Sequence, residues 1–527
     1  MRRRDLLGGA TALAAPRLAR AQGSSARTLR FVPQGNLATL DPLWTTNTTA
    51  RNHALMVYDT LFGLGADHRP RPQMAAGHEV SEDGLVHAIT LRPELHFHDG
   101  EPVLARDCIA SIARWSRRDV LGQRLGLLLE EMRPKGDKGF EIVLKRPWPG
   151  LPWALGKPSA NICAIMPERV ARTDPFQQVA DPVGSGPFRF RRSQWVPGSI
   201  AAYERFTGYV PRDEPADFLA GGKAVHFDRV EWHFTPDPAE AAAALQAGEA
   251  DWWEAPLVEL LPVLRRLRDV AVEVVNTAGA LAMMRFNHLH PPFDNPAIRR
   301  AVLPAIEQRE FMQAALGEDP SLWQVPAGVF TPGTPLASEA GLEALTGPRD
   351  PEAAKRALAD AGYRGERVVI LQPSDFPTLH ALAEVTAEVL RRIGMEVDLQ
   401  SMDWATLVQR RARREPPAQG GWSVFCTTWE GLDVAVPGSH QPLRGNGPEE
   451  GWFGWPTSPR REALRDAWFE AADVEAERRI AEDLQRLVWE EAPFVPLGLL
   501  RPPQAYRRSL AQVITGGPPL FWEVRRG

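Results

Sequence analysis

The sequence predicts an α/β fold, in which helices pack on the faces of sheets. An apolar run at 368–371 has the length of a buried strand, and the amphipathic segment 378–393 is followed by Gly394, which is typical of a helix C-terminus. Apolar residues alternate again at 395–399, which predicts the next strand. Strand, helix and strand in that order indicate a β-α-β unit.

Two further helices are marked at their ends by capping residues. Asp237 precedes Pro238, as an N-cap precedes a proline in the first turn, and Gly248 closes the same helix. Asn295 opens the second helix, which Pro304 must kink or end.

Length and composition predict a globular protein with more than one core. The 527 residues are 44% hydrophobic and include 17 tryptophans. The formal net charge of −5 becomes −9 if an N-terminal signal with five arginines and one aspartate is removed. An acidic protein of this kind is a poor partner for nucleic acid.

The first 21 residues are typical of a cleavable export signal. Consecutive arginines at 2–4 precede an apolar run to Ala15, and the segment 19–21 offers an A-x-A cleavage site. The paired arginines resemble a twin-arginine (Tat) signal, and Sec export is the alternative. No other stretch reaches transmembrane length, and no cysteine stands at the cleavage point for lipidation. We therefore expect a soluble periplasmic protein.

The segment 78–115 has the most distinctive order of elements: strand, turn, strand, turn and helix. Leu85, His87, Ile89 and Leu91 share one face of the predicted second strand, as half-burial requires. The predicted helix carries an apolar stripe. This stripe consists of Cys108, Ile109, Ile112 and Trp115.

Three cysteines, Cys108, Cys163 and Cys426, allow at most one intramolecular bridge in an oxidising compartment. Cys108 and Cys163 both lie in apolar segments. Two interpretations stay open, namely buried free thiols and a Cys108–Cys163 disulfide.

Catalytic and cofactor motifs are absent from the sequence. It contains no G-x-S-x-G elbow, no phosphate-binding loop, no G-x-G-x-x-G and no H-E-x-x-H. His96, His98 and Asp99 resemble part of a metal cluster, because residues two apart on a strand share a face and two ligands could converge there. No further ligand that would complete such a site is evident in the sequence. We therefore expect no catalytic residue, no metal and no cofactor.

The order of elements in 78–115 resembles the signature of the bacterial extracellular solute-binding proteins of family 5, the peptide/nickel/opine type. Further motifs resemble the same family in the same order along the chain. They are LDP at 40–42, YDTLF at 58–62, VGSGPF at 183–188, ALQAGEAD at 244–251 and RFN followed by PPFDN at 285–295.

The resemblance implies a two-lobed periplasmic binding protein fold (type II, cluster C-like) with an extra subdomain inserted in the first lobe. On this basis 24–42, 181–274 and 481–527 form the first lobe, 43–180 forms the insert and 275–480 forms the second lobe. The resemblance also implies a monomer that works with the membrane permease of an ABC importer.

A ligand-binding segment follows the apolar run that begins at Trp422. Trp429 offers an aromatic wall, while Glu430, Gly431 and Asp433 follow it in a loop. Dipeptide-binding relatives have W-T-G-D here, with the aspartate on the ligand ammonium. In this sequence the carboxylate falls one residue later. Each side chain could instead serve packing or an exposed loop.

Two other loops are candidate contacts. The resemblance implies backbone contacts from Gly35, Asn36 and Leu37. Dipeptide-binding relatives carry a carboxylate-binding arginine after the strand that matches 368–371, whereas the corresponding run 372–375 in this sequence has no arginine and ends in Asp375. Three acids without that arginine favour a cationic or amine-bearing ligand over an ordinary dipeptide.

The sequence is therefore interpreted as the substrate-binding component of an ABC importer for peptides or similar small polar solutes, with binding by lobe closure. The alternative is an exported hydrolase or ligand-modifying enzyme on the same scaffold. A third interpretation, a sensory module, has no signalling segment to support it.

Overall fold

The computed structural model describes residues 27–527, which form three principal sheets covered by helices. The predicted export signal at 1–21 lies outside the described residues. Within 27–527, no helix is both long and apolar enough to cross a membrane.

The first sheet has seven strands and is mixed, with the N-terminal strand Thr28–Val32 parallel to both of its neighbours. Its aromatic core includes Phe31, whose ring contacts both Trp232 and Trp252 at centroid distances of 5.7 and 5.6 Å. In spatial order the strands are Val270–Glu273, Gln504–Arg507, Trp252–Trp253, Thr28–Val32, Arg229–His233, Ile200–Arg205 and Phe188–Phe190.

The second sheet has six strands, and its centre is the antiparallel pair Ala280–Phe286 and Val424–Glu430. In spatial order the strands are Trp323–Gln324, Phe494–Leu500, Ala280–Phe286, Val424–Glu430, Arg367–Pro373 and Glu396–Met402.

The third sheet is antiparallel and has four strands. In spatial order the strands are Ala75–Val80, Val86–Leu91, Gly139–Leu144 and Leu129–Pro134. Two further ladders have two strands each, and they join Phe62–Leu64 to Pro70–Pro72 and Leu510–Ala511 to Arg525–Arg526.

The α-helices are Thr48–Val57, Ala105–Trp115, Val120–Leu128, Leu151–Leu155, Glu168–Ala171, Pro238–Ala247, Leu261–Leu264, Pro296–Val302, Gln308–Leu316, Glu343–Thr346, Pro351–Asp360, Pro377–Arg392, Trp404–Arg410, Gly447–Glu450, Pro459–Phe469 and Val474–Glu491.

The predicted β-α-β unit is confirmed. Strands Arg367–Pro373 and Glu396–Met402 pair in parallel, and the helix Pro377–Arg392 connects them. The predicted caps also hold, since Asp237 accepts hydrogen bonds from the backbone of the first turn and Gly248 has a φ of 76°. That positive φ is why a glycine closes this helix.

The apolar face of the helix Ala105–Trp115 packs inward as its stripe predicts. Cys108, Ile112 and Trp115 are fully buried. Cys108, Cys163 and Cys426 are all buried free thiols, so the interpretation without a disulfide agrees with the structure.

His98, in the turn at 97–100, has a structural role. The His98 ring is buried, with Nε2 3.0 Å from the carbonyl oxygen of Gly186 and Nδ1 accepting from the Gly184 amide at 3.3 Å. Two motifs that lie far apart in the sequence therefore hold each other in place. Both ring nitrogens of His98 make hydrogen bonds within the fold. These bonds explain the presence of this histidine without a role as a metal ligand.

The chain passes between the first and second sheets twice. It leaves the first sheet after Glu273, enters the second at Ala280, leaves it after Leu500 and re-enters the first at Gln504. The strand Phe494–Leu500, which lies beyond the boundary expected at 480, pairs with Ala280–Phe286 of the second sheet. We propose that the second lobe continues to the return crossing at 501–503.

The segments 43–180 and 275–480, which we expect to form the inserted subdomain and the second lobe, contact each other directly. Arg124 pairs with Asp466 at 2.7 Å and its guanidinium lies 4.7 Å from the ring centroid of Phe469. Arg146 pairs with Glu470 at 2.8 Å. These ion pairs and the arginine–ring contact join the two segments directly.

Candidate ligand-binding site

The predicted binding loop lies where the second sheet meets the crossing segment. Strand Val424–Glu430 ends in a tight 3₁₀ turn at Gly431–Asp433. The Gly431 amide donates to the carbonyl oxygen of Gly279 at 2.8 Å, and a Cβ on Gly431 would come within 2.1 Å of the carbonyl oxygen of Ala278. Only glycine allows this approach, and it fixes the direction of the residues that follow.

A cavity of about 160 Å³, called the polar cavity because most of its lining residues have polar side chains, lies between the segments expected to form the inserted subdomain and the second lobe. Trp429 and Asp433 both line it, so the structure brings these two predicted residues together. The remaining lining residues are Thr46, Arg118, Asp119, Val120, Leu121, Lys157, Ser159, Ala160, Asn161, Ser439, Gln441 and Trp452.

Two buried polar atoms of this lining lack hydrogen-bond partners among the described residues. One is the Trp429 Nε1 donor and the other is the Gln441 Oε1 acceptor. The Trp429 ring is packed edge-on against Trp452 at 5.3 Å. A buried polar atom without a partner loses its hydration and gains nothing in return, so this cavity suits a ligand that brings both an acceptor and a donor.

Asp433 is the charged group at the centre of the site. It is 7% exposed and accepts one hydrogen bond, from the Ala160 amide at 3.3 Å. No cationic side chain lies within 4.0 Å of it in residues 27–527. Burial raises its pKa from 3.8 to about 6, and the neighbouring Glu430 adds to that shift while Arg51 and Lys157 oppose it.

Glu430 forms part of a second polar group that joins the two lobes. Its carboxylate lies 3.7 Å from the guanidinium of buried Arg51 and accepts from Asn276 Nδ2 at 3.0 Å. Arg51 in turn contacts Asn52 Oδ1, and Asn52 donates to Glu254 at 2.9 Å. The chain Glu430–Arg51–Asn52–Glu254 thus links the second lobe to the first.

Glu254 resembles Asp433 in its environment. It is 8% exposed and accepts from the Gln34 amide at 2.8 Å as well as from Asn52. Burial raises its pKa from 4.5 to about 7, partly offset by hydrogen bonding to Gln34 and by the charge of Arg51. Lys157, the other buried cation at the site, is neutralised by Asp119 at 2.6 Å. Among the buried side chains, the three acids Asp119, Glu254 and Asp433 outnumber the two cations Arg51 and Lys157, and half-buried Arg118 is a further cation that lines the cavity.

The other predicted residues lie outside the polar cavity. Asp375 is exposed and accepts from the Trp404 amide at 2.7 Å. Asn36 Oδ1 accepts from the Gly198 amide at 2.7 Å, and Leu37 packs in the core of the first sheet. The carbonyl of Gly35 accepts from Thr49 at 3.4 Å, so this loop supports the helix that carries Arg51. Their roles as ligand contacts stay predictions.

Arg51, Glu254 and Lys157 were not predicted from the sequence. Each belongs to a segment without a binding motif, and they meet only because three parts of the chain converge. The available signal was weak: a charged residue inside an otherwise apolar or small-residue run, such as Arg51 in TTARNHALMV.

Glu254→Gln should flatten the dependence of stability on pH. Because the folded pKa is raised, the folded state binds this proton more tightly, and the free energy of unfolding falls as pH rises from 4.5 to 7. The shift corresponds to a penalty on the order of 3 kcal/mol above pH 7, which glutamine does not incur. Thermal melts of both proteins between pH 4 and pH 8 measure this difference. Parallel profiles would contradict it.

Comparison with known proteins identifies the family of this chain. The family model for the bacterial extracellular solute-binding proteins, family 5 (middle region), matches residues 69–439. A probable peptide ABC transporter periplasmic-binding protein of Sinorhizobium fredii is 37% identical over 532 residues, covering 99% of each chain. A glutathione-binding protein of Salmonella paratyphi A is 26% identical, covering 90% of this chain and 89% of its own.

Solved structures show the same fold. A binding protein from A. tumefaciens R10 in complex with agropinic acid superposes with a TM-score of 0.77 at 20% identity, covering 95% of this chain and 99% of its own. A dipeptide-binding protein of Pseudoalteromonas sp. SM9913 in complex with Met-Leu also gives 0.77, at 18% identity and with 95% and 100% coverage. The chain belongs to the bacterial extracellular solute-binding proteins of family 5, and it has their two-lobed α/β fold.

Proposed function

We propose that this solute-binding protein captures a peptide or a related amine-bearing solute and delivers it to the permease of an ABC importer. The family consists of solute-binding proteins rather than enzymes. The Sinorhizobium relative is named as a periplasmic protein of peptide transport, and relatives named for glutathione or solved with agropinic acid or Met-Leu bind small nitrogen-containing solutes. Together these support a periplasmic receptor.

The observation that carries the ligand class is Asp433. This carboxyl group is buried, lacks a cationic partner among residues 27–527 and faces a cavity of molecular size. A ligand ammonium at Asp433 supplies the missing charge, because a charge-assisted hydrogen bond is stronger than a neutral one. Trp429 Nε1 then donates to a carbonyl or carboxylate oxygen of the same ligand.

Closure of the lobes is the binding step in this account. The chain Glu430–Arg51–Asn52–Glu254 joins side chains of both lobes, so we expect its contacts to favour the closed form. A ligand that bridges the lobes shifts the population toward that closed form. The protein releases its cargo unchanged, and we expect no turnover of peptides.

The experiment identifies the cargo and then measures whether its amine is required for binding. Protein purified from its host without refolding is analysed by native mass spectrometry, and released cargo is rebound before and after acetylation with acetic anhydride. Cargo should rebind, and acetylated cargo should not. Equal rebinding of the two forms, or cargo chemically altered by incubation with the protein, would contradict the proposal.

Affinity for the cargo should rise with pH. An ammonium binds the ionised form of Asp433, and with a pKa of about 6 this form is scarce at pH 5 and predominant at pH 7. We therefore expect binding to be about tenfold weaker at pH 5 than at pH 7. Titration calorimetry at the two pH values measures this ratio, and an anionic ligand would show the opposite trend.

A further inference from the structure

A second, larger cavity adjoins the polar one. It has a volume of about 540 Å³ and lies at the same interface between the inserted subdomain and the second lobe. Its walls are mainly apolar, and the charged residues Asp67, Arg69, Asp473, Glu477 and Arg478 also line it. The principal apolar residues are Leu64, Trp148, Trp153, Leu432, Val436 and Trp468.

The two cavities are neighbours along two segments of the chain. Leu432 lines the apolar cavity while the next residue, Asp433, lines the polar one. Likewise Pro158 lines the apolar cavity and the next residue, Ser159, lines the polar one. Leu121 lines both cavities. The same short turn therefore presents a carboxylate to one cavity and an isobutyl group to the other.

The partition between the cavities comes from both sides of the cleft. Leu121 belongs to the expected inserted subdomain and Leu432 to the second lobe, so residues from both sides contribute to the boundary between the cavities. A ligand with two chemically different parts can therefore place one part against each set of walls.

We infer that the ligand carries a large apolar or aromatic group next to its ammonium, and that this group binds in the apolar cavity. The inference rests on the proposed function, since it takes Asp433 as the site of the ammonium. Burying an apolar group against these apolar walls removes both surfaces from water, which is favourable in free energy. Water in a cavity of this composition provides little such stabilisation.

Trp468 favours an amino-acid derivative over a plain hydrocarbon. Its side chain lines the apolar cavity and is 8% exposed, yet its Nε1 has no acceptor among the described residues. An amide carbonyl beside an apolar side chain supplies one. The expected class is thus a peptide or amino-acid amide with a bulky first residue.

Three matched probes test the inference: the dipeptide amides Phe-Ala-NH₂ and Gly-Ala-NH₂, and N-acetyl-Phe-Ala-NH₂. Titration calorimetry on the full-length protein at pH 7 should show Phe-Ala-NH₂ binding at least about tenfold more tightly than Gly-Ala-NH₂. The acetylated probe should bind more weakly than either, because it has no ammonium for Asp433.

Val436→Trp places bulk inside the apolar cavity. It should reduce the affinity for Phe-Ala-NH₂ to that for Gly-Ala-NH₂ and leave the latter unchanged. Val263→Trp is the matched control, since Val263 is 53% exposed and lies in the first lobe outside both cavities. Thermal melting of each variant establishes that it is folded.

The outcomes separate this inference from the proposed function. Equal affinity for Phe-Ala-NH₂ and Gly-Ala-NH₂ overturns the apolar subsite while leaving the ammonium site standing. Tight binding of the acetylated probe overturns the ammonium site instead. The apolar subsite is also overturned if none of the three probes binds, or if Val436→Trp lowers the affinities for Phe-Ala-NH₂ and Gly-Ala-NH₂ by the same factor.

Discussion

Asp433→Asn combined with Trp429→Ala is expected to abolish the thermal stabilisation that cargo gives the protein. Removing one partner of a buried, hydrogen-bonded charge pair typically costs about 2–5 kcal/mol of binding, and loss of an aromatic wall adds to this. Affinity should fall by a factor of at least about 100. Differential scanning fluorimetry with released cargo measures the effect, because stabilisation depends on the ratio of ligand concentration to Kd.

The single variant Asp433→Asn should change the stability of the empty protein in the opposite direction. The raised pKa means that the folded state loses stability as pH rises from 3.8 to 6, on the order of 3 kcal/mol. Asparagine avoids this cost and can still accept from the Ala160 amide. Weaker binding with a higher melting temperature at pH 7 is the combination that distinguishes a binding residue from a structural one.

Asp237→Asn provides the control for these variants. It removes one negative charge at an exposed helix N-cap of the first lobe, and asparagine caps a helix as well as aspartate does. Cargo binding should be unchanged. If Asp237→Asn weakens binding as much as Asp433→Asn does, the effect is one of net charge and Asp433 has no special role.

Asp41→Asn is expected to destabilise the fold by about 3–5 kcal/mol. Asp41 pairs with Arg114 through two hydrogen bonds of 3.1 and 2.7 Å, and both side chains are almost completely buried. It also accepts from the Leu43 and Val179 amides at 2.9 Å each. Asparagine leaves the buried guanidinium of Arg114 without its counter-charge.

Equilibrium unfolding in urea measures this loss, with Asp398→Asn as the control. Asp398 pairs with Arg367 at the edge of the second sheet, where the arginine is 60% exposed, so breaking that pair should cost less than about 1 kcal/mol. A loss of that small size in Asp41→Asn would show that the L-D-P motif does not hold the inserted subdomain to the first lobe.

The regular elements could be predicted because their signals are local. The strand face at Ile89 and Leu91, the capped helix Pro238–Ala247 and the β-α-β unit around Pro377–Arg392 each depend on periodicity or caps within a short window. The pairing of Phe494–Leu500 with a strand some two hundred residues earlier has no local signal, so nothing in the sequence near 480 indicates how far the second lobe extends.

The candidate site was predictable only in part for the same reason. Trp429 and Asp433 come from one loop whose composition suits a pocket. Arg51 and Glu254 come from separate segments, and their importance follows from burial and from mutual contacts that the fold creates. Charge counting along the sequence could not show that Asp433 is left without a cation, since that depends on which partners the other charges take.

Lobe closure around cargo is the central claim, and small-angle X-ray scattering tests it most directly. Protein stripped of cargo by reversible unfolding and refolding is measured alone and then with the released cargo at pH 7. The account predicts a smaller radius of gyration with cargo, and no such change for Asp433→Asn with Trp429→Ala. A radius of gyration that stays the same in wild-type protein while cargo binds would contradict it.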